Sequence, residues 1–274
     1  MPRFALLNTR PAHQARALED LVQQAGGQSF ACPALKIEPI EYAESAVSAW
    51  QTALAEASLW AVTSANAVAP LQRLLTQCAI ENGTVLAIGE ATYQTLQNQL
   101  AEFWQRPGAQ LLPPLHLQKG QKRADSEALL THPALQKLIP GQSVVLIKGE
   151  GGREHMQRAL EQKGVNVIEL PLYRRVAAPF CPDPWQAFIR AQVPKIILAT
   201  SFESLKALWQ GWENWQISQK SPHLLPNLPL LVFSERIADL AQQAGWQGPI
   251  VVAPETSNSG IIQGIETLIG VTYE

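Results

Sequence analysis

Cysteine is sparse along this chain and falls into no motif. Cys32, Cys78 and Cys181 are the only three, far apart and without CxxC spacing. That leaves no metal knuckle and no redox motif, and it fits a reduced cytoplasmic compartment. The five histidines, His13, His116, His132, His155 and His223, are scattered with no HxH or HxxxH spacing, so no metal site is expected and each reads as a surface or capping residue. No GxSxG elbow, Cys–His arrangement or Walker loop occurs. Charge gives no lead either: 21 basic residues against 23 acidic leave a net −2, which excludes a basic field for nucleic acid. No apolar run is long enough to cross a bilayer. The opening MPRFALLNTR is too short in its apolar part for a signal peptide and reads as a first strand.

What the chain has is a repeated junction. Six times a short apolar run stops at Ser, Thr or Gly and a helical pattern begins: LLNTRPAHQAR (6–16), AVTSANAVAPL (61–71), LAIGEATYQTL (86–96), LIKGEGGREHM (146–156), LATSFESLKAL (198–208) and LVFSERIADL (231–240). VVAPETSNSGI (251–261) is a weaker seventh. Strands alternating with helices predict parallel sheets. In such sheets each junction lies at the carboxyl end of a strand, where ligands bind and helix N–H groups point outward. A scaffold of this kind binds anions without carrying formal charge.

At 274 residues two domains are expected. Two segments share one pattern: helix end, glycine, then a long extended stretch with a proline inside it, around Pro33 and around Pro171. Proline cannot donate to a central ladder, so both stretches should lose full sheet neighbours there and pair mostly with each other. The expected layout is two doubly wound parallel α/β domains joined by a two-stranded β linker. Domain one comprises 1–36 plus 176–274, domain two 40–171, and the crossing strands lie at 34–40 and 171–178. Strands are predicted at 58–63, 84–88, 108–112, 143–148, 165–170, 195–199, 229–233 and 249–253. Helices are predicted at 45–56, 65–78, 90–103, 125–138, 152–163, 183–192, 201–212, 235–244 and 257–269. The stretch 105–123 reads as strand plus surface loop, with Asp125 or Ser126 capping the next helix. QQAG at 23–26 and again at 242–245 ends a helix before a strand.

Several residues could carry chemistry. Helix capping alone accounts for Ser64, Ser201, Ser234 and Thr256 or Ser257. A functional reading adds that Thr63, Ser64, Thr92, Thr200, Ser201 and Ser234 line one cleft and hold carboxylates. Arg10 follows the first strand and can pair bidentately with a carboxylate. Arg153 opens a helix after Gly151-Gly152 and needs a partner there. The GEGG at 149–152 is not GxGxxG, so no dinucleotide cofactor is expected. Tyr173 sits on the return crossing. Its phenol can move a proton, although an ordinary half-buried strand tyrosine explains it too. Trp209, Trp212 and Trp215 read as helix packing.

The motifs LLNTR (6–10), TSANAV (63–68), AIGEAT (87–92), ADSEALL (124–130), VLIKGEGGR (145–153), GVNVIELPLYRR (164–175), ATSFESL (199–205) and SERIADLAQQAG (234–245) together resemble the uroporphyrinogen-III synthase family over nearly the whole chain. The resemblance implies two α/β domains with a two-stranded linker and a cytoplasmic, cofactor-free enzyme of tetrapyrrole synthesis. Its substrate would be hydroxymethylbilane. The reaction loses water, closes the macrocycle and inverts the last ring. By the resemblance, Tyr173 matches the family's candidate acid, and Thr63, Ser64, Thr92, Ser201 and Ser234 match positions facing the cleft. A monomer is expected, flexing near Pro33 and Pro171 to admit substrate. The rival readings are a non-catalytic hinged binding protein for an anionic small molecule and a transferase for a phosphorylated substrate.

Overall fold

Leu6 and Leu7 are neighbours in sequence and both fully buried, yet they belong to different cores. That is what a period of two dictates for a strand covered on both faces. The strand is β1 (Ala5–Asn8), and it lies at the heart of a five-stranded sheet. The computed structural model describes residues 2–115, 130–151, 155–219 and 225–273. The chain divides into two units, Met1–Lys36 with Val176–Glu274, and Ile37–Arg175.

The first unit holds β1, β2 (Gln28–Ala31), β9 (Lys195–Ala199), β10 (Leu230–Val232) and β11 (Ile250–Val252) in the order β11-β10-β9-β1-β2, every pair parallel. Strand order reverses between β1 and β9, so a topological switch point opens at their carboxyl ends. One face packs Phe4, Leu6, Ile196 and Leu198 against α1 (Ala12–Gln24) and α10 (Asn258–Tyr273), through Leu18, Val22, Ile261 and Ile265. The other packs Ala5, Leu7, Ile197 and Val232 against α7 (Pro182–Arg190), α8 (Phe202–Gln219) and α9 (Glu235–Gln243). Helix α8 runs seven residues beyond its predicted end at 212. Tertiary packing carries it: Trp212 meets Trp185, Trp215 meets Phe180, and Trp209 meets Trp246 at ring separations of 6.3, 5.4 and 5.7 Å. All three tryptophans are packing residues. The two QQAG helix ends both finish on a glycine with positive φ, Gly26 at 79° and Gly245 at 99°, the left-handed turn that glycine enters without Cβ strain.

The second unit is built on a six-stranded sheet in the order β3-β8-β7-β4-β5-β6. Its strands are β3 (Leu35–Pro39), β4 (Leu59–Val62), β5 (Gly83–Ala87), β6 (Ala109–Leu112), β7 (Ser143–Gly149) and β8 (Asn166–Ala177). Strands β4 to β8 pair in parallel, and their order reverses between β4 and β7, a second switch point. Helices α2 (Glu44–Glu56), α3 (Val68–Gln77) and α4 (Glu90–Gln99) cover the face carrying Trp60, Val62, Val85 and Ile147. The short α5 (Pro133–Gln136) and α6 (His155–Gln162) cover the face carrying Ala61, Leu86 and Leu146. His132 caps α5, its Nδ1 accepting the Ala134 N–H at 3.1 Å. Of the helix predicted over 125–138, residues 130–138 are described, and α5 spans only Pro133–Gln136, with Pro133 fixing its start; residues 116–129, with part of the predicted loop and Asp125 and Ser126, lie outside the described residues.

Strands β3 and β8 each span a boundary between the units. They run antiparallel: the Ile40 N–H donates to the Leu172 carbonyl and the Ala178 N–H to the Ala34 carbonyl. Both prolines mark the points where, as expected, the strands give up their sheet neighbours and turn to each other. Around Pro33 the Cys32 N–H donates to the Asn8 carbonyl and the Ala34 N–H to the Thr9 carbonyl, with the donorless proline between them. At Pro171 strand β8 is about to part from β7. Its first half stays an ordinary parallel partner of β7 as far as Lys148↔Pro171, and the register then slips to Gly149↔Tyr173. A bulge absorbs the missing donor.

Candidate functional site

The switch point of the second unit gathers three of the sequence candidates. Thr63 follows β4. Its N–H donates to the Ile147 carbonyl at 2.9 Å, and its hydroxyl reaches the same carbonyl at 3.3 Å. Ser64 caps the 3-10 turn 65–67, its Oγ accepting the Asn66 N–H at 3.2 Å. Across the break in strand order, the Glu150 N–H donates to the Tyr173 carbonyl at 2.7 Å. The Tyr173 ring, 2% exposed, lies over Gly149. A Cβ on that glycine would meet Tyr173 Cζ, Cε2 and Oη at 2.6, 2.8 and 2.9 Å, so only glycine allows this approach. The slip after Pro171 turns the tyrosine onto the end of β7.

Two residues that sequence reasoning passed over belong to this end of the sheet. Tyr42 donates its hydroxyl to the Pro171 carbonyl at the bulge. Burial first, and the charge of Glu150 second, push its phenol above the ordinary value. Glu150 lies within the GEGG motif and Tyr42 in none, and neither stood out because their pairing depends on the return of β8. Thr92 lies in the first turn of α4, 5% exposed. That helix starts at Gly89 with no side-chain cap, so its leading N–H groups are open to an anion.

The first unit gathers the other three described candidates along its own carboxyl edge. Arg10 follows β1, half-buried, with Nη1 donating to Asn258 Oδ1 at 2.6 Å and Nη2 to Gln14 Oε1 at 3.3 Å. Both partners are neutral amides, and among the described residues no carboxylate pairs it. Burial lowers its pKa, the signature of a guanidinium short of counter-charge. It also sits at two helix starts, that of α1, which has no side-chain cap, and that of α10, whose first residue is Asn258. A half-buried cation thus lies beside two positive dipole ends. Thr9 ties β1 to β9 through the Leu198 carbonyl at 2.5 Å.

Ser201 and Ser234 are engaged as caps. Ser201 Oγ accepts the Ser204 N–H at 3.0 Å, and Ser204 Oγ accepts the Ser201 N–H at 3.2 Å, a reciprocal pair. Ser234 Oγ accepts the Ile237 N–H at 3.4 Å, and Ser257 caps through the Gly260 N–H at 3.0 Å. The hydroxyls of Ser201 and Ser234 keep their own protons to donate, whereas Ser204 donates to the Ser201 carbonyl at 2.8 Å and Ser257 to Glu255 Oε2 at 3.2 Å. Replacing Ser201 by Ala removes one cap and costs about 1 kcal/mol of stability, read as a lower urea midpoint with an unchanged slope. An unchanged midpoint would remove the cap from the account of α8. Arg153 lies outside the described residues.

Among the described residues no group of three or more His, Cys, Asp or Glu is placed to hold a metal, and no helix is long and apolar enough to cross a membrane. A groove of about 470 Å³ in the second unit, lined in part by Leu75, Leu100, Phe103 and Arg106, contains none of the candidate residues.

Two parallel α/β units, each with a switch point edged by helix starts and capping hydroxyls, with Tyr173 in one and Arg10 in the other, place this chain among doubly wound α/β proteins. A family model described as uroporphyrinogen-III synthase HemD matches residues 16–263. The chain belongs to the uroporphyrinogen-III synthase family. It is 29% identical to the uroporphyrinogen-III synthase of Escherichia coli strain K12 over 96% of this chain and all of that one. It is 27% identical to that of Synechococcus elongatus over 75% of this chain and 73% of the relative. In fold it resembles uroporphyrinogen-III synthetase of Helicobacter pylori, with TM-score 0.54 and 14% identity over 98% of this chain and all of that one. A mutant uroporphyrinogen III synthase of Thermus thermophilus gives 0.52 and 18% over 99% and 100%.

Proposed function

We propose that this chain converts hydroxymethylbilane, a linear tetrapyrrole with acetate and propionate arms, into uroporphyrinogen III. Family membership supports the reaction. The observation that ties it to this chain's own residues is Arg10, a half-buried guanidinium whose partners among the described residues are amide oxygens rather than carboxylates. A substrate carboxylate supplies that anion. The open N–H groups at the starts of α1 and α4 take further carboxylates, and the hydroxyls of Ser64, Ser201 and Ser234 donate to them while still capping their helices.

The chemistry asked of the protein is small in bond terms and large in selection. Tyr173 gives its phenolic proton to the hydroxyl of the substrate's hydroxymethyl group, the C–O bond breaks, and water leaves. The remaining azafulvenium cation is stabilised by its pyrrole nitrogen. Attack at the substituted carbon of the last ring gives a spiro centre. Breaking and remaking the bond inverts that ring, and the terminal pyrrole carbon loses its proton back to the phenolate as the macrocycle closes. Choosing that carbon is a matter of holding one folded conformer, and fixed anion sites supply the orientation. Tyr42 beside the bulge and Gly149 beneath the ring fix where the phenol points. We place the reaction in the cytoplasm, in a monomer that needs no cofactor, metal or nucleic acid.

The test is product isomer analysis. Freshly made hydroxymethylbilane is supplied with and without the protein, oxidised, and the uroporphyrin isomers are separated. The expected product is predominantly isomer III. Isomer I alone, at the uncatalysed rate, would overturn the reading and return the hinged binding protein to first place.

A further inference from the structure

Two of the three cysteines, 149 positions apart in sequence, meet in the first unit. Cys32 follows β2, 1% exposed, in the core beneath α7, and Cys181 immediately precedes α7 and packs against that same core. The antiparallel pairing of β3 with β8 brings them together. The Ala178 N–H to Ala34 carbonyl bond, 2.9 Å, is the last rung of that ladder, and the cysteines lie two and three residues beyond it on the two chains. Both side chains pack into that one core, Cys181 lies near enough to perturb the Cys32 thiol, and Cys181 Sγ reaches the Pro179 carbonyl at 3.7 Å. Cys181 is partly open to solvent and Cys32 is not. An accessible thiol backed by a buried one is the arrangement of a peroxide-sensitive pair.

We propose that Cys32 and Cys181 are a modification site at which peroxides or small-molecule disulfides produce a reversible intramolecular disulfide. The cross-link joins the two points of the first unit between which the whole second unit is inserted. With a peroxide, the Cys181 sulfur attacks an oxygen, the O–O bond breaks, and the departing hydroxide takes a proton to become water. Cys181 is left as a sulfenic acid. The Cys32 sulfur then attacks that sulfur, the S–S bond forms, the S–O bond breaks, and the hydroxide leaves as water with the Cys32 proton. Two thiols and one hydrogen peroxide give one disulfide and two waters. Cys78 lies in the second unit and takes no part.

The second step has a distinctive pH dependence. Burial above all, and then the neighbouring Cys181, push the Cys32 thiol up to about 12. The thiolate is the nucleophile, so closure speeds up with rising pH well past the ordinary thiol value of 9.0. Reduction at the accessible Cys181 sulfur must expel Cys32, a poor leaving group, so the bond is reversed slowly.

The experiment uses the full reduced chain treated with hydrogen peroxide, unfolded in alkylating agent and mapped by mass spectrometry. The expected result is a linked 32–181 peptide lighter by two hydrogens, with free thiols falling from three to one. A protease nick within the second unit then leaves a single band on a non-reducing gel and two bands after reduction. In Cys181→Ala the linked peptide is absent. In Cys32→Ala, dimedone trapping of sulfenic acid at residue 181 rises at least about tenfold over the native chain, because the resolving thiol is gone. Three alkylatable thiols after peroxide, or Cys181 accumulating as sulfenic or sulfonic acid in the native chain without a linked peptide, would overturn the proposal. Neither result requires a variant to fold.

Discussion

Tyr173→Phe lowers kcat by about 10²-fold, leaves KM within a few-fold, and still yields isomer III. The substitution removes one proton donor and nothing else. The ring stays packed in its 2%-exposed site over Gly149, so stability and substrate grip are unchanged. A positioned general acid contributes about 10²- to 10⁴-fold. The low end applies here because the departing hydroxyl leaves behind a cation stabilised by its own pyrrole nitrogen. Product identity survives because the folded conformer is held by anion sites on other elements, among them Arg10 and the open start of α4. The measurement is single-turnover formation of uroporphyrinogen III with isomer separation. Wild-type rate in the variant would remove Tyr173 as the acid. Normal rate with mixed isomers would reassign it to orientation.

Gly149→Ala is expected to do as much harm from the other side of the contact. The new methyl falls 2.6 Å from Tyr173 Cζ and 2.9 Å from its Oη, well inside contact distance. The ring cannot swing away, being buried among Leu170, Leu172 and Ile147. Something must shift, and the bulge at Lys148/Gly149 is the element that gives. Overpacking of this kind costs about 1–3 kcal/mol, and the displaced phenol no longer meets the substrate hydroxyl. Activity therefore falls at least as far as in Tyr173→Phe, and the urea midpoint drops as well. Combining the two separates the effects. Phenylalanine keeps Cζ, so the stability loss persists, whereas the rate losses do not add, because both act on one proton. An active, fully stable Gly149→Ala would show that the phenol's position over β7 is unimportant.

Periodicity and junction chemistry made most of this fold legible. The serines at 64, 201 and 234 were readable as caps because a hydroxyl before a helical pattern has few other roles, and in each case it accepts a backbone N–H. Arg10 was readable because it ends the first strand. What was not readable was anything set by non-local pairing. Pro171 rightly signalled a strand about to exchange β7 for β3, but the one-residue slip that brings Tyr173 onto Gly149 before the exchange was not readable. Tyr42, Glu150 and Asn258 escaped notice because each acquires its neighbour from a distant part of the chain. The same holds for Cys32 and Cys181, which sequence spacing alone separates into unrelated residues. Helix α8 outran its predicted end because the aromatic partners of Trp212 and Trp215 come from residues 180 and 185.

The interior place of β1, between β2 and β9, sets the order in which the molecule can be made. One of its two neighbours, β9, is encoded roughly 190 residues later, and synthesis at about 5–20 residues per second delivers it about 10–40 s after β1 leaves the ribosome. During that interval Phe4, Leu6 and Leu7 have no finished core to enter. Residues 37–175 are all made before β9 and the remainder of the first unit, so the inserted unit is the first able to fold. The amino-terminal segment waits on the growing chain, exposed to chaperones and proteases, until the last hundred residues arrive.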